Sequence, residues 1–187
     1  MNVLLRALAL LLSASVTVAA QGLQIPAPRG YVNDFANVIA PDNASAIARI
    51  IDDVRAKSGG EIVVVTLPDL AGRPIEDVSL LSGRLWKVGA AGKPGDPARN
   101  TVVIILVVPK ETSADGSGHV SIATGNGTEG FITNATAGEI RREAIPYCEE
   151  PDYGAGMELM PRPVAERFAN EFHFQCDIAN RAPAASP

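Results

Sequence analysis

The stretch TVVIILVV at residues 101–108 contains an unbroken apolar run, residues 102–108, that is followed by Pro109. It is too short for a membrane-spanning helix, which needs about 20 apolar residues, and its β-branched side chains favour a strand. A strand that is apolar at every position is typical of a sheet that is covered on both faces. We therefore assign residues 101–108 as the central strand of an α/β domain and place the other elements around it.

Helical and extended patterns alternate on both sides of this strand. EIVVVTL at residues 61–67 predicts a second strand, and residues 119–124 predict a shorter strand paired beside the central one. Apolar residues at spacings of three and four predict four helices, which open at Pro41, Pro74, Asn134 and about Pro163, the third ending at Pro146. The order predicts a three-layer α/β/α sandwich with a small, mostly parallel or mixed sheet.

Length and charge define the domain organisation and exclude one class of partner. The chain has 187 residues, is 47% hydrophobic and carries a formal net charge of −5. This length supports one domain, which we place at residues 30–176, with an extended lead-in at 21–29 and a disordered tail at 177–187. Because no basic stripe is present to neutralise phosphates, we expect no nucleic-acid partner.

The first 20 residues have the pattern of a targeting segment. Arg6 precedes an apolar run, and Val18-Ala19-Ala20 resembles a cleavage site, so residues 1–20 predict a secretory signal peptide. The alternative is an uncleaved amino-terminal anchor. No second apolar run approaches the length of a membrane span. We therefore expect an exported protein, periplasmic or secreted, with no transmembrane anchor after cleavage.

Export makes the two cysteines, Cys148 and Cys176, a candidate disulfide. An oxidising compartment favours joining them, with a stabilisation of about 3–4 kcal/mol from loop closure. The alternative is a reactive thiol. Glu149 and Glu150 beside Cys148 would raise its pKa, and the sequence lacks the C-x-x-C spacing of a redox site, so we predict the structural bridge.

Recognised catalytic patterns are missing or incomplete. GNGTEG at residues 125–130 matches G-x-G-x-x-G, but three residues intervene before helical residues begin, and Glu129 would oppose a pyrophosphate. We therefore expect no nucleotide. The sequence has no G-x-S-x-G, no H-E-x-x-H and no Walker lysine, and His119 and His173 stand on different predicted elements. The catalytic residues remain unknown.

Oxygen-bearing side chains in the loops are the remaining candidates for chemistry. Ligands of α/β sheets bind beyond the carboxyl ends of the strands, which here precede residues 69–72, 109–111 and 125–130. Calcium takes six to eight oxygen ligands from carboxylates, amides and backbone carbonyls. Four residues qualify as metal ligands: Asp34, Asn100, Glu129 and Asn134. The alternative is that Asp34 and Asn134 cap turns or helices.

Several motifs in a fixed order resemble the TPM domain, from about Gly30 to Phe172. They are GYVNDFANVI at residues 30–39, GEIVVVT at 60–66, GRPIED at 72–77, LWKVG at 85–89, NTVVIIL at 100–106, IATGNGTEG at 122–130, and Pro146 followed by Asp152-Tyr153-Gly154. The resemblance implies an α/β/α sandwich that is exported or membrane-tethered. It also implies calcium binding and weak acid-phosphatase activity in some members, and accessory roles for membrane complexes in others.

The resemblance to the TPM domain supports two of the metal-ligand candidates and implies a function. Asp34 and Glu129 match acidic positions of the family and lead the metal candidates. We expect an exported accessory or binding domain, with Ca²⁺ as its cofactor, acting with an envelope or membrane protein complex. The alternative is a metal-assisted acid phosphatase, for which Arg99 is the loop arginine placed to hold a phosphoryl group. A purely structural envelope domain without a ligand is a third interpretation.

The sequence departs from the family pattern in four places. Asn134 stands where the family commonly has Asp, which removes a negative charge and should weaken calcium binding. Pro161 and Pro163 interrupt what is usually a continuous last helix. The Cys148 and Cys176 pair is an addition, and the carboxy-terminal membrane span and glycine-rich tail of many bacterial relatives are missing.

Overall fold

A computed structural model describes residues 22–89, 99–148 and 153–177. The predicted signal peptide at 1–20, most of the loop between Gly89 and Arg99, Asp152 and the tail after residue 177 lie outside the described residues. The elements, in chain order, are β1 (Val32–Asp34), α1 (Pro41–Ser58), β2 (Glu61–Thr66), α2 (Ile75–Trp86), β3 (Val102–Val108), β4 (His119–Thr124), α3 (Asn134–Cys148), α4 (Tyr153–Leu159) and α5 (Pro161–Glu171).

The four strands form one mixed sheet in the order β1-β2-β3-β4. β1 and β2 pair in parallel, as do β2 and β3, whereas β4 runs antiparallel to β3. We use "carboxyl end" for the edge where β1, β2 and β3 finish, and "amino end" for the opposite edge. Because β4 is reversed, it begins at the carboxyl end and finishes at the amino end. β3 is buried at all seven positions, which confirms it as the central strand.

Helices cover both faces of the sheet, which confirms the three-layer α/β/α sandwich. On one face, α1, α3, α4 and α5 close a core that includes Ile62, Ile105 and Phe168. On the other face, α2 and the extended residues 22–30 pack on Val63 and its neighbours. The Trp86 Nε1–H donates a 3.0 Å hydrogen bond to the Pro26 carbonyl, which holds the extended segment against α2.

Glycine at position 60 is required by packing rather than by backbone conformation. α1 ends at Gly59, whose φ of 71° lies in the left-handed region. A Cβ built on Gly60 would lie 2.2 Å from the Phe168 ring, so any side chain there would displace the core of the multi-helix face. The Gly59-Gly60 stop predicted for α1 is therefore confirmed, with a separate reason for each glycine.

Some element boundaries differ from the sequence prediction. α3 does not end at Pro146 but continues to Cys148 with the proline inside it. The proline lies in the last turn, where its missing N–H costs the helix one hydrogen bond only. α5 begins at Pro161, in the first turn, where proline is well tolerated. Residues 32–34, which we took as a loop, pair with β2 as a short strand.

Cys148 and Cys176, both within the described residues, are not joined, and the disulfide prediction is wrong. Cys148 lines a cleft with Val108 and His119 at the carboxyl end, where burial raises its pKa to about 11. Cys176 belongs to the segment that Lys57 holds at the other end of the sheet. The two thiols therefore lie at opposite ends of the sheet, beyond the reach of an S–S bond.

The carboxy-terminal segment is held by charge instead of a covalent bond. Lys57 Nζ donates to the Gln175 carbonyl at 2.7 Å and pairs with Asp177 at 2.8 Å and Asp53 at 2.7 Å. The hydrogen bond to Asp177, followed by that to Asp53, raises the pKa of Lys57. Within residues 22–89, 99–148 and 153–177, no helix is long and apolar enough to cross a membrane.

Candidate functional site

The four residues predicted to bind a metal are divided between the two ends of the sheet. Asp34 is the last residue of β1, at the carboxyl end. Asn100, Glu129 and Asn134 flank the start of β3 or the finish of β4, at the amino end. Strands of six or seven residues separate these ends by about 20 Å. The structure therefore does not bring Asp34 together with the other three.

Asp34 closes the loop that follows β1. Its Oδ1 accepts hydrogen bonds from the Thr66 hydroxyl at 2.5 Å and from the Val38 N–H at 3.1 Å, and its Oδ2 accepts from the Ile39 N–H at 3.0 Å. The Thr66 Oγ1 accepts in turn from the Ala36 N–H at 3.0 Å. Both carboxylate oxygens of Asp34 therefore accept hydrogen bonds from the protein itself. This agrees with the alternative interpretation of the sequence, in which Asp34 caps a turn.

The glycine motif and Asn100 fit together through their backbones. Asn100 has a φ of 58°, a conformation that Asn tolerates better than most residues, and its carbonyl accepts the Gly127 N–H at 3.1 Å. A Cβ on Gly125 would lie 2.3 Å from the Asn100 oxygen, and one on Gly127 would lie 2.5 Å from the Arg99 oxygen. These two glycines therefore let the loop lie directly against the chain that enters β3.

Glu129 and Asn134 are exposed, and neither carries a hydrogen bond within the described residues. The side chain that caps α3 is Thr133, whose Oγ1 accepts the Thr136 N–H at 3.2 Å. Across the described ranges, no group of three or more His, Cys, Asp and Glu side chains gathers around a common point. The residues present therefore fit calcium poorly, because one carboxylate and two amides fall short of its usual ligand shell.

A cleft of about 690 Å³ lies at the carboxyl end, between the loop after β2 and the connection from β3 to β4. Asp69 ties these two loops together: its carboxylate accepts the Ala71 N–H at 2.6 Å and the Ala114 N–H at 2.7 Å. The bond from Ala114, followed by that from Ala71, lowers the pKa of Asp69. Asp69 thus stays charged and fixes one wall of the cleft.

A carboxylate–imidazole pair lines the same cleft. His119 Nε2 lies 2.9 Å from Asp115 Oδ2, while Asp115 Oδ1 accepts from the Ser117 N–H and the Ser113 hydroxyl, both at 2.8 Å. The bond from the Ser117 N–H, the bond from Ser113 and the contact with His119 lower the pKa of Asp115. The ionised Asp115 orients the imidazole ring at the mouth of the cleft.

Two guanidinium groups complete the lining. Arg73 comes from the loop after β2 and Arg141 from α3, and neither has an ion pair or side-chain hydrogen bond among the described residues. The carboxylates of Asp69 and Asp115 are already bonded to their own loops. The cleft therefore offers two guanidinium groups and the His119 imidazole to a ligand, against the one remaining carboxylate of the described lining, Glu76, and this balance suits an anionic oxygen group.

Nucleophilic chemistry has no assembled partner in the described part of the cleft. The Ser113 hydroxyl donates to Asp115, so the carboxylate stands between the hydroxyl and His119. The Cys148 thiol lines the neighbouring cleft, but its raised pKa of about 11 keeps it protonated at neutral pH. The guanidinium groups can bind an anion, but none of the described side chains of the cleft is an activated nucleophile.

Sequence reasoning missed the residues of this cleft. We took the Asp115–Gly118 stretch only as a turn, and gave no role to His119, Arg73 or Arg141. The rule that ligands bind beyond the carboxyl ends of strands did point to residues 69–72. The available signal was the spacing of four between Asp115 and His119 at the start of a strand, which places the two side chains close together.

The fold defines a small three-layer α/β/α domain with a cleft beyond its parallel strands. The TPM domain family matches residues 32–164, and the chain belongs to this family. A search of curated proteins found no match.

Two solution structures have the same fold. The N-terminal domain of a protein from P. gingivalis is 22% identical, with 77% of this chain and 85% of that chain covered and a TM-score of 0.63. An N-terminal domain from Corynebacterium glutamicum is 19% identical, with 90% and 96% covered and a TM-score of 0.52.

Proposed function

We propose that this TPM domain is an exported accessory domain that binds an anionic group of an envelope or membrane protein partner in the carboxyl-end cleft. The observation that carries the proposal is the presence of Arg73 and Arg141 in one cleft with His119, while Asp69 and Asp115 are bonded to the surrounding loops and Glu76 is the remaining carboxylate of the described lining. Guanidinium groups bind carboxylate or phosphate oxygens in a bidentate manner, which gives orientation as well as affinity.

The test is site-specific photocrosslinking in the envelope fraction. A photoreactive residue replaces Glu76, which is exposed and lines the cleft, and a control replaces Glu139 on α3, which is exposed outside it. We expect one adduct from position 76 only, identified by mass spectrometry and lost in Arg73→Glu with Arg141→Glu. An adduct that persists in this double variant, or arises equally from position 139, would contradict the proposal.

Export is tested separately by the mass of the protein recovered outside the cytoplasm. Cleavage after Ala20 predicts a mature chain beginning at Gln21. Recovery of the full-length chain in the membrane pellet would favour the uncleaved anchor instead.

We expect calcium to bind weakly. Since Asp34 is occupied and distant, Glu129 is the one carboxylate among the predicted ligands that lies at the same end of the sheet as Asn100 and Asn134. We expect the thermal midpoint to be the same in chelator and in 1 mM calcium. A saturable rise that disappears in Glu129→Ala would overturn this part and establish a calcium site at the amino end, because a ligand present at 100 times Kd adds about 2.7 kcal/mol.

The second candidate is acid-phosphatase activity, which the His119–Asp115 pair favours. No described group fits the metal of a metal-assisted reaction, so the chain's own side chains would act. Arg73 and Arg141 would hold the phosphoryl oxygens while a water molecule attacks phosphorus and the bond to the leaving oxygen breaks. His119 would give a proton to that oxygen and regain one from the attacking water, so that the alcohol and inorganic phosphate are released. Hydrolysis of p-nitrophenyl phosphate that is lost in His119→Gln and in Arg73→Ala would support this candidate. Activity that survives both substitutions would arise elsewhere.

A further inference from the structure

The two outer strands of the sheet are protected to different degrees. β1 is three residues long, and a short edge offers little backbone for another chain to pair with. β4 has six residues, HVSIAT, with no lysine, glutamate, aspartate or proline to discourage pairing. Among the described residues, no strand pairs with its outer edge. An unprotected edge of this length is typical of a strand that receives a partner.

A groove of about 540 Å³ lies beside this edge, at the amino end of the sheet, between α2, the start of β3 and the finish of β4. Leu80, Val88, Ile104 and Ala123 supply its apolar lining, and Leu80 is 49% exposed although it is a large aliphatic side chain. Leu80 thus adds an exposed aliphatic side chain to the apolar lining of the groove, where a ligand can contact it.

The charge of the groove is opposite to that of the whole chain. Its charged lining residues, all within the described part of the chain, are Arg84 and Lys87, and no carboxylate lines it. The complete chain has 21 acidic and 16 basic residues. A basic rim on an acidic protein attracts an acidic ligand and excludes basic ones.

We propose that the β4–α2 groove docks an extended, acidic segment of a protein partner. The segment adds a fifth strand to β4 through main-chain hydrogen bonds, inserts apolar side chains beside Leu80, and places carboxylates against Arg84 and Lys87. This surface extends the proposed function by naming a second contact with the partner. It shares no lining residue with the carboxyl-end cleft, so the two sites can be altered independently.

The test is an NMR titration of the ¹⁵N-labelled protein with a capped seven-residue peptide in which valine and glutamate alternate. We expect saturable shifts of the β4 and α2 amide signals. The double variant Arg84→Glu with Lys87→Glu should weaken binding at least tenfold, whereas Arg49→Glu, an exposed charge reversal on α1, should not change it. A matched peptide of alternating valine and lysine should cause no saturable shift.

Three results would overturn the proposal. The first is the absence of β4 shifts up to millimolar peptide, or equal binding by the double variant. The second is concentration-dependent dimerisation in sedimentation with shifts of the same amides, which would assign the groove to a second copy of this chain. The third is binding to phosphatidylserine-containing vesicles, but not to the peptide, that the double variant abolishes. Arg73→Glu with Arg141→Glu should leave peptide binding intact. The experiments therefore distinguish failure of the proposal for the carboxyl-end cleft from failure of the proposal for the β4–α2 groove.

Discussion

The two ends of the sheet are organised by different means. At the carboxyl end, Asp34, Asp69 and Asp115 each accept at least two hydrogen bonds from the surrounding loops. At the amino end, Gly125 and Gly127 lie against the backbone that enters β3, while Glu129 is exposed. Carboxylate hydrogen bonds therefore hold the loops of the carboxyl end, whereas close backbone packing holds the loop between β4 and α3. Elsewhere at the amino end, Lys57 pairs with Asp53 and Asp177.

The comparison predicts that removing an acid has a large effect in the loops of the carboxyl end and a small effect in the loop between β4 and α3. Asp34→Ala should lower the free energy of unfolding by about 3 kcal/mol, because it leaves the buried Thr66 hydroxyl and two backbone N–H groups without their acceptor. Glu129→Ala, the matched control, should stay within about 0.5 kcal/mol. Urea denaturation at neutral pH measures both. Equal losses would mean that Glu129 holds the amino end as Asp34 holds the other.

At the amino end, we expect the large loss of stability from substitution of a glycine rather than of an acid. Gly125→Ala would force a methyl group to within 2.3 Å of the Asn100 carbonyl oxygen, which cannot move without displacing the start of β3. We expect a loss of about 2–3 kcal/mol. Gly130→Ala, in the same motif but with no atom within 4 Å of its Cβ, should change stability by less than about 0.5 kcal/mol. A large loss for Gly130→Ala would contradict the explanation by close packing.

The central elements could be predicted from the sequence because each of their hydrophobic patterns is typical of one type of secondary structure. The apolar run at residues 102–108 and the stripe of Ile47, Ile50 and Val54 predicted β3 and α1, and both are confirmed. The candidate site was predicted less well, since the direction of β4 depends on tertiary pairing. Without that direction, the Gly125–Gly130 loop was assigned to the same end as Asp34.

Acid should weaken the carboxyl end before the amino end. The hydrogen bonds from Ala114 and Ala71 lower the pKa of Asp69 in the folded state from its ordinary value of 3.8. Folding therefore favours the ionised form. This contribution is complete well above pH 3.8 and is lost as the pH falls through the lower folded-state pKa. Asp69→Asn should cost about 1 kcal/mol at pH 7, and this cost should shrink as the pH falls below 3.8.

Unfolding curves of the native protein and Asp69→Asn between pH 2 and pH 7 measure this difference. Glu129→Gln is the control, because Glu129 accepts no hydrogen bond within the described residues, and its curve should run parallel to that of the native protein. If the difference in unfolding free energy between the native protein and Asp69→Asn stays constant with pH, the charge of Asp69 does not contribute to stability.

We expect reductant to have the smallest effect on stability, because the two cysteines lie at opposite ends of the sheet and are not joined. Cys148 lines a cleft with His119, whereas Cys176 follows the segment that Lys57 holds. Reduction should leave the thermal midpoint unchanged, and denatured, unreduced protein should titrate two thiols per chain. In the folded state the Cys148 thiol should react slowly near neutral pH, because burial raises its pKa to about 11. A drop of several degrees on reduction would require the carboxy-terminal segment to cross from one end of the sheet to the other, since a bridge of this loop length contributes about 3–4 kcal/mol.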